Sequence, residues 1–461
     1  MTRTEVATRE PASGIAQAAW VCYEWANQPY YSLVTIFLFA PYFSATVIGD
    51  PVHGQAIWGY TQATAGIIIA LTSPLLGAIA DAAGRRKPWI VAFMGLCILG
   101  CFGLWLAVPG AAIVPVATAL VIASIGMEFT IIFANAMLPT IASERRIGLL
   151  SGIGIGMGQL AAIVALIAVL IALQLPGVVH ASFIPDAPVF GLSKAKFETD
   201  RIVGPISGVW FLVFMLPLLF LVPDQKSRNL SRLEAAQAGL KRLAHTIARA
   251  RHFRNVALYL VSRMAFYDGM NAIFIFGGIL AASTFHWGAT EMAVYGVWAT
   301  LFAALGAFVG GWTDQRFGSK ATLIWSLAIA VVLFLALISI DRDHIFFIVA
   351  FPAPAEAPAF TTVPQQVFLL IIAGFALMAG PTIASSRTML ARIAPVEMMT
   401  EFFGLYSLAG KATTFVAPLL IGIATAASGS QRIGLMVVVP LIVLGIAMLL
   451  FVKEERATAI E

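Results

Sequence analysis

The chain has 461 residues, of which 60% are hydrophobic and only 11% are charged, and its formal net charge is +5. Ordinary globular domains carry roughly a quarter charged residues, so a water-soluble fold could not bury this much apolar surface. No stretch shows the alternating apolar and polar pattern of a membrane barrel. We therefore expect an all-α membrane protein.

The apolar residues fall into long runs, several of them longer than the roughly 18 residues that mark a membrane-spanning helix. Span 1 is too long for a straight crossing, which predicts a tilt, a kink near Pro29 or a start before the membrane. We number the runs span 1 to span 12 and place them near residues 15–48, 57–80, 88–108, 111–138, 148–173, 204–222, 255–283, 291–311, 321–340, 366–390, 402–424 and 433–452.

Lys and Arg are distributed unevenly over the connections between spans. The connections at Arg85–Lys87 and Arg145–Arg146 are basic, whereas the loops near Asp50 and Pro109, on the opposite predicted face, have no Lys or Arg. The first 17 residues are polar and lack a signal-peptide layout. This bias predicts that both termini are cytoplasmic. The three cysteines lie in apolar runs, which favours small apolar fillers over a disulfide framework or a metal site.

The connection 223–254 is basic and divides six spans from six. We expect an N-terminal six-helix bundle over 1–222, a cytoplasmic linker over 223–254 and a C-terminal six-helix bundle over 255–461. Apolar residues of the linker fall on one helical face, which predicts an amphipathic helix on the inner leaflet. A simple tether is the alternative.

The two predicted bundles repeat short sequences in the same order. Tyr23-Glu24-Trp25-Ala26-Asn27 returns 244 residues later as Tyr267-Asp268-Gly269-Met270-Asn271, and the pentapeptide PTIAS occurs at 139–143 and again at 381–385. A parallel internal repeat in a very apolar chain is how transporters place a site between two rocking halves. The repeat therefore predicts a transporter.

The connection after span 2 carries a Gly-Asp-Gly-basic pattern that resembles the loop signature of the major facilitator superfamily. After span 8, the equivalent stretch has Asp314 followed by Gly318, one residue further on than in the first copy. Arg387, at the inner end of span 10, could join these residues or hold a substrate carboxylate, although snorkelling to the interface is the alternative. The resemblance assigns conformational gating to Gly77, Asp81, Gly84, Arg85, Arg86, Asp314 and Arg387.

A narrower resemblance covers much of the chain. Trp20-x-x-Tyr23-Glu24-Trp25-Ala26-Asn27, Asn135-Ala-Met-Leu-Pro139, Ser386-Arg387-Thr388 and Glu401-Phe-Phe-Gly-Leu-Tyr406 are similar to the branch that contains vacuolar amino-acid effluxers linked to autophagy, and its bacterial relatives. Glu24 departs from it, standing where Asp is expected. The resemblance implies the major facilitator fold, two six-helix bundles related by pseudo-two-fold symmetry. It also implies a monomer in a bacterial inner membrane that moves a small solute and needs no cofactor or nucleic acid.

In the superfamily's architecture, spans 1, 4, 7 and 10 line a central cavity, and ionisable residues deep in a span are functional candidates. Glu24 and Asp268, as repeat mates, are expected to face each other across it. Desolvation favours the neutral form of a carboxyl group, which would permit proton coupling, but the same group could bind a solute ammonium. The candidate substrate and proton-coupling residues are Glu24, Asn27, Glu128, Asn135, Tyr267, Asp268, Asn271 and Lys411.

Alternatives stay open for each of these residues. Glu24 or Asp268 could cap a neighbouring helix or pair with a cation such as Arg263, and Lys411 could pair with an acid from another span. At the level of the whole protein, the leading hypothesis is a secondary transporter, with an exporter of lipophilic compounds or lipids as the runner-up. A non-transporting membrane sensor is a third possibility. No HExxH, Ser-Lys or nucleotide-binding loop motif favours an enzyme or a primary pump.

Overall fold

The structure is a computed structural model that describes residues 13–224 except 84, 142 and 143, residues 253–455 except 353, 355, 356 and 396–398, and the single residues 234 and 237. Within these residues, eleven helical segments are long and apolar enough to cross a membrane. The 33-residue helix Pro51–Ala83 lies where the second span was predicted and completes the set of twelve. The all-α membrane architecture is confirmed.

The observed helices follow the predicted order of spans. The main segments of spans 1 to 6 are Gly14–Pro29, Pro51–Ala83, Lys87–Gly103, Ile113–Ile141, Glu144–Val169 and Val203–Leu221. Shorter elements extend or join them at Tyr30–Phe37, Phe39–Tyr42, Phe43–Val47, Leu104–Leu106, Leu170–Gln174, Val189–Gly191 and Glu198–Arg201.

The second half has the same plan, with two spans divided into shorter helices. Spans 7 to 12 are Arg254–Phe285, Ala289–Phe317, Ser319–Ile338, Val363–Ile393, Met399–Ala412 with Val416–Ser428, and Gln431–Met436 with Val438–Phe451. A small antiparallel hairpin pairs His344–Ile345 with Val349–Ala350 between spans 9 and 10. The predicted amphipathic linker lies almost wholly outside the described residues, so it stays a prediction.

Span 1 changes its hydrogen bonding directly after Pro29. Residues Tyr30–Phe37 form a π-helix, and the Leu38 amide donates to the Leu33 carbonyl, five residues back, at 3.3 Å. Proline has no amide hydrogen to donate, so the regular α-helical ladder is already interrupted at this position. The irregularity expected near Pro29 is a widened turn, of the kind often found at functional sites.

The six-plus-six repeat is visible in hydrogen bonds at the ends of spans. In the first half, the Asp224 carboxylate accepts from the backbone amides of Arg86 at 2.9 Å and Lys87 at 3.2 Å, at the start of span 3. The Lys87 ammonium in turn donates to the Leu219 carbonyl of span 6 at 2.6 Å. A carboxylate at a helix N-terminus satisfies free amides and complements the helix dipole.

The second half contains the same arrangement. The Glu454 carboxylate accepts from the backbone amides of Ser319 at 3.0 Å and Lys320 at 3.2 Å, at the start of span 9. The Lys320 ammonium donates to the Leu450 carbonyl of span 12 at 2.8 Å. The contact between spans 6 and 3 thus has the same form as the contact between spans 12 and 9. This likeness supports an origin of the two halves by duplication.

We call the end of the bundle where span 1 begins and span 12 ends the terminal face, and the opposite end the distal face. The two halves meet closely toward the distal face. A Cβ atom at Gly278 of span 7 would lie 2.2 Å from the Ile36 carbonyl oxygen of span 1. Only glycine allows this approach, because a methyl group would overlap the backbone.

Side chains add polar bonds between the halves at the distal face. The Gln55 amide of span 2 donates to the Thr425 hydroxyl at 2.9 Å and the Gln431 carbonyl at 3.0 Å. The Gln431 side chain donates to the Pro51 carbonyl at 2.8 Å and accepts from the Ser283 hydroxyl at 2.5 Å. We call these five residues the distal latch. They connect spans 2, 7, 11 and 12, so the structure is a distally closed state.

Candidate functional site

A polar group in the first half joins spans 1 and 4. The Tyr23 hydroxyl lies 2.5 Å from Glu24 Oε1 and 2.5 Å from Asn135 Oδ1. The Asn27 amide donates to Glu24 Oε2 at 3.3 Å. Because a phenol has one proton, it cannot donate to both partners, and with Glu24 as acceptor Asn135 must present its amide nitrogen. Three predicted site residues, Glu24, Asn27 and Asn135, are therefore brought together.

Glycines of span 5 create the space for this group. A Cβ atom at Gly154 would lie 3.2 Å from Glu24 Cγ, and one at Gly158 would lie 2.8 Å from Gln28 Cγ. Small residues four positions apart let two membrane helices pack closely. Glu24 is therefore packed against span 5 in its own half.

The centre of the molecule holds an ion pair between the halves. The Glu128 carboxylate of span 4 accepts a hydrogen bond from the Tyr31 hydroxyl at 2.7 Å through Oε1, and Oε2 pairs with the Lys411 ammonium of span 11. The two charged side chains keep 18% and 28% of their surfaces exposed. Both are thus within reach of water or solute, and their pairing links the two bundles.

Arg263 of span 7 lies between two tyrosine rings. Its guanidinium carbon is 4.6 Å from the centre of the Tyr267 ring and 3.6 Å from that of Tyr406. The guanidinium also donates to the Ser386 hydroxyl at 3.2 Å and to the Tyr406 carbonyl at 3.1 Å. This cluster connects spans 7, 10 and 11 within the second half.

Asp268 does not have the position that the repeat predicted for it. Its carboxylate is buried and accepts from the backbone amide of Ala417, at the start of Val416–Ser428, at 3.0 Å. Asp268 therefore caps the second part of span 11. Its repeat mate Glu24 packs instead against span 5. The expectation that Glu24 and Asp268 face each other is corrected, because the two copies of the motif have different neighbours. Asn271, one turn further along span 7, is half-buried.

The structure shows the surroundings of three arginines assigned to gating, two after span 2 and one in span 10. Arg85 is exposed, Arg86 donates to the Ala136 carbonyl of span 4, and Arg387 is exposed and lies within electrostatic range of Tyr23. Gly77 and Asp81 are described only as part of the helix Pro51–Ala83, without their surroundings, and Gly84 lies outside the described residues. Their predicted roles stay predictions.

The second copy of the loop signature forms a compact network. The Asp314 carboxylate is buried, accepts from the Ser319 hydroxyl at 2.6 Å and pairs with Arg392 at 3.0 Å. Arg392 also pairs with Glu454 at 2.6 Å. Asp314 thus ties the end of span 8 to spans 9, 10 and 12 at the terminal face.

From the sequence, Arg263 was considered only as a counter-ion for an acid, and Tyr31 was not among the candidate site residues. A signal for the Arg263 cluster was present, because Tyr267 follows Arg263 by four residues and Gly410 follows Tyr406 by four. Residues four apart share one face of a helix. What the sequence could not supply was the contact between spans 7 and 11, which are distant in the chain.

Comparison with known proteins identifies the relatives of this chain. Residues 43–460 match the family described as "Vacuole effluxer Atg22 like". The chain is 25% identical over 448 residues to the uncharacterized MFS-type transporter YxiO of Bacillus subtilis, covering 95% of each chain. It is 22% identical over 330 residues to autophagy-related protein 22-1 of Neosartorya fischeri, covering 69% of this chain and 50% of that protein. The match thus spans about half the length of the fungal relative.

Solved structures share the fold at low sequence identity. A D-xylose–proton symporter aligns with a TM-score of 0.66 and 14% identity, covering 96% of this chain and 100% of that chain. The nucleoside transporter NupG aligns with a TM-score of 0.65 and 12% identity, covering 95% and 100%. The predicted major facilitator fold is confirmed, and the relatives are transporters rather than enzymes.

Proposed function

We propose that this chain, which belongs to the Atg22-like vacuole effluxer family, is a secondary active transporter that moves a small solute by alternating access of its two halves. The solute class that we assign is an amino acid or a related metabolite, and the coupling ion is the proton. The rocking units are residues 1–222 and 255–461, with 223–254 as the linker. The protein works as a monomer in a bacterial inner membrane with both termini cytoplasmic.

The observation that carries this proposal is the ion pair between Glu128 and Lys411. An ion pair between two halves is a contact that solute or proton binding can break, because protonation of Glu128 removes the attraction and a solute carboxylate can replace it. Charges at membrane depth are costly when unpaired, so their exchange of partners biases which way the halves rock.

The distal latch supports the alternating-access step. It holds the distal ends together, while Asn135 and Arg387, both exposed, mark the terminal side of the interface. This arrangement suits one of the two end states of a rocking transporter. Opening the latch and bringing the terminal ends together would give the other.

The test uses protein reconstituted in proteoliposomes and counterflow of a panel of radiolabelled amino acids. The dye pyranine, inside the vesicles, reports proton movement. We expect Glu24→Gln, Glu128→Gln and Asp268→Asn to abolish solute flux or to separate it from proton movement. Glu291→Gln is the control, since Glu291 lies in the first turn of span 8, outside the site. Full, proton-coupled flux in all three amide variants would refute the proposed site.

A further inference from the structure

Arg263 carries a charge that no carboxylate neutralises in the part of the chain that the structure describes. Its side chain is buried, with only 5% of the residue exposed. Two acids of the predicted site have other partners, since Glu128 pairs with Lys411 and Asp268 accepts from the Ala417 amide. A buried charge without a counter-ion is costly in a membrane protein, so this guanidinium is a functional candidate.

Among the described residues, the groups that hold the guanidinium are neutral. Its Nε donates to Ser386 and its Nη1 to the Tyr406 carbonyl, while the rings of Tyr267 and Tyr406 lie against it. A guanidinium has five N–H donors, and these contacts use two. Nη2 makes no hydrogen bond to a described residue. The remaining N–H donors of Arg263 are thus held in a fixed orientation and can bind a ligand.

The surroundings of Arg263 contain a second cation. The Lys411 ammonium lies within electrostatic range of the Arg263 guanidinium and the Tyr267 phenol. Gly410, the residue before Lys411, lies so close to Arg263 that a Cβ atom there would be 2.7 Å from Nη1. Glu128 pairs with Lys411, so the charge of Arg263 has no carboxylate partner among the described residues. The local excess of positive charge favours an anion.

We propose that Arg263, held between Tyr267 and Tyr406, is the subsite that binds the carboxylate of the transported solute. The planar guanidinium matches a carboxylate with two parallel hydrogen bonds. This inference rests on the proposed transport function and narrows the solute to a small molecule with a free carboxylate. Lys411 lies close enough to attract the same anion, which would loosen its pairing with Glu128.

Binding is tested on the full chain in detergent, by thermal shift and by isothermal titration calorimetry. The ligands are four carboxylate and amide pairs, namely acetate and acetamide, benzoate and benzamide, succinate and succinamide, and L-leucine and L-leucinamide. We expect at least one carboxylate to stabilise the protein while its amide does not. Arg263→Gln should weaken that binding about ten- to hundredfold. Arg254→Gln is the matched control, because Arg254 is exposed on the same helix.

A second pair of variants leaves the charge in place. Gly410→Ala would push the guanidinium from its position, whereas Gly404→Ala, on the same helix, meets nothing within 4 Å. We expect the first substitution to weaken carboxylate binding and the second to leave it unchanged. These variants keep the test informative where Arg263→Gln does not fold.

The outcomes separate the subsite from the transport function. Equal binding of acid and amide, no binding of any carboxylate, or unchanged carboxylate binding in Arg263→Gln or Gly410→Ala would overturn the subsite. Counterflow of a solute that carries no carboxylate would leave transport standing and overturn the substrate class. Carboxylate binding that depends on Arg263 without any flux would overturn transport and leave the subsite.

Discussion

Glu128 of span 4 and Lys411 of span 11 form an ion pair across the interface of the two halves. The Tyr31 hydroxyl donates a hydrogen bond to the other carboxylate oxygen of Glu128 at 2.7 Å. The pair connects residues 283 positions apart in the chain. Each charge depends on the other for its stability at this depth, since neither is fully in water.

We expect Glu128→Gln and Lys411→Met each to lower the free energy of unfolding by about 1–3 kcal/mol, because each leaves one charge without a partner. The double variant should recover much of the loss. The measurement is a double-mutant cycle of thermal or denaturant stability in detergent. Strictly additive losses would show that the two residues do not stabilise each other.

Breaking the distal latch should open the distal face. We expect Gln55→Ala to lengthen the distance between spin labels introduced as V178C and I348C, because both positions are exposed, in loops of opposite halves. Double electron–electron resonance in a background without native cysteines measures that distance. Gln366→Ala is the control, as the Gln366 amide donates to the Phe360 and Thr361 carbonyls of its own half. An unchanged distance distribution in Gln55→Ala would contradict the latch.

The neighbouring glycines Gly277 and Gly278 should respond very differently to substitution. A Cβ atom at Gly278 would lie 2.2 Å from the Ile36 carbonyl oxygen, whereas at Gly277 the nearest atom is 3.9 Å away. We expect Gly278→Ala to destabilise the distally closed state by about 1–3 kcal/mol through overpacking. Gly277→Ala should have little effect. The same spin-label distance, together with thermal stability, distinguishes the two variants, and similar behaviour of both would refute the close contact.

Glu454 should be more important for stability than its position near the end of the chain indicates. It accepts two backbone amides of span 9 and pairs with Arg392, so we expect Glu454→Ala to cost about 1–3 kcal/mol. Glu455→Ala removes the same charge from an exposed neighbour and should be nearly neutral. Thermal unfolding followed by tryptophan fluorescence provides the comparison. Equal stability of the two variants would show that the cap does not matter.

The order of the spans could be predicted from the sequence because apolar runs of helical length have a single physical solution in a bilayer. The interruption of span 11 at residues 413–415 could not be predicted from the sequence. Its stabilising contact joins Asp268 to Ala417, 149 residues away, and no local signal announces it. The π-helix after Pro29 was only partly predictable, since proline indicates an interruption without specifying its form.

The site was predicted as a set of residues, and its pairings were not. Glu128 and Lys411 were both recognised as charges within spans, but sequence does not state which acid meets which base. The repeat led to the wrong expectation that Glu24 and Asp268 face each other, because the two residues occupy equivalent positions with different surroundings. Glu24 meets Gly154 of span 5, whereas Asp268 meets the backbone of span 11. Duplication preserved the motif and changed its contacts.

The interruption of span 11 divides one membrane crossing into two helices. Met399–Ala412 carries Lys411 at its end, whereas Val416–Ser428 carries Thr425, the latch residue that Gln55 reaches. A continuous helix would transmit any rotation at Lys411 rigidly to Thr425. A break at 413–415, with Asp268 capping the helix beyond it, would let the end that carries Lys411 tilt before the distal end follows.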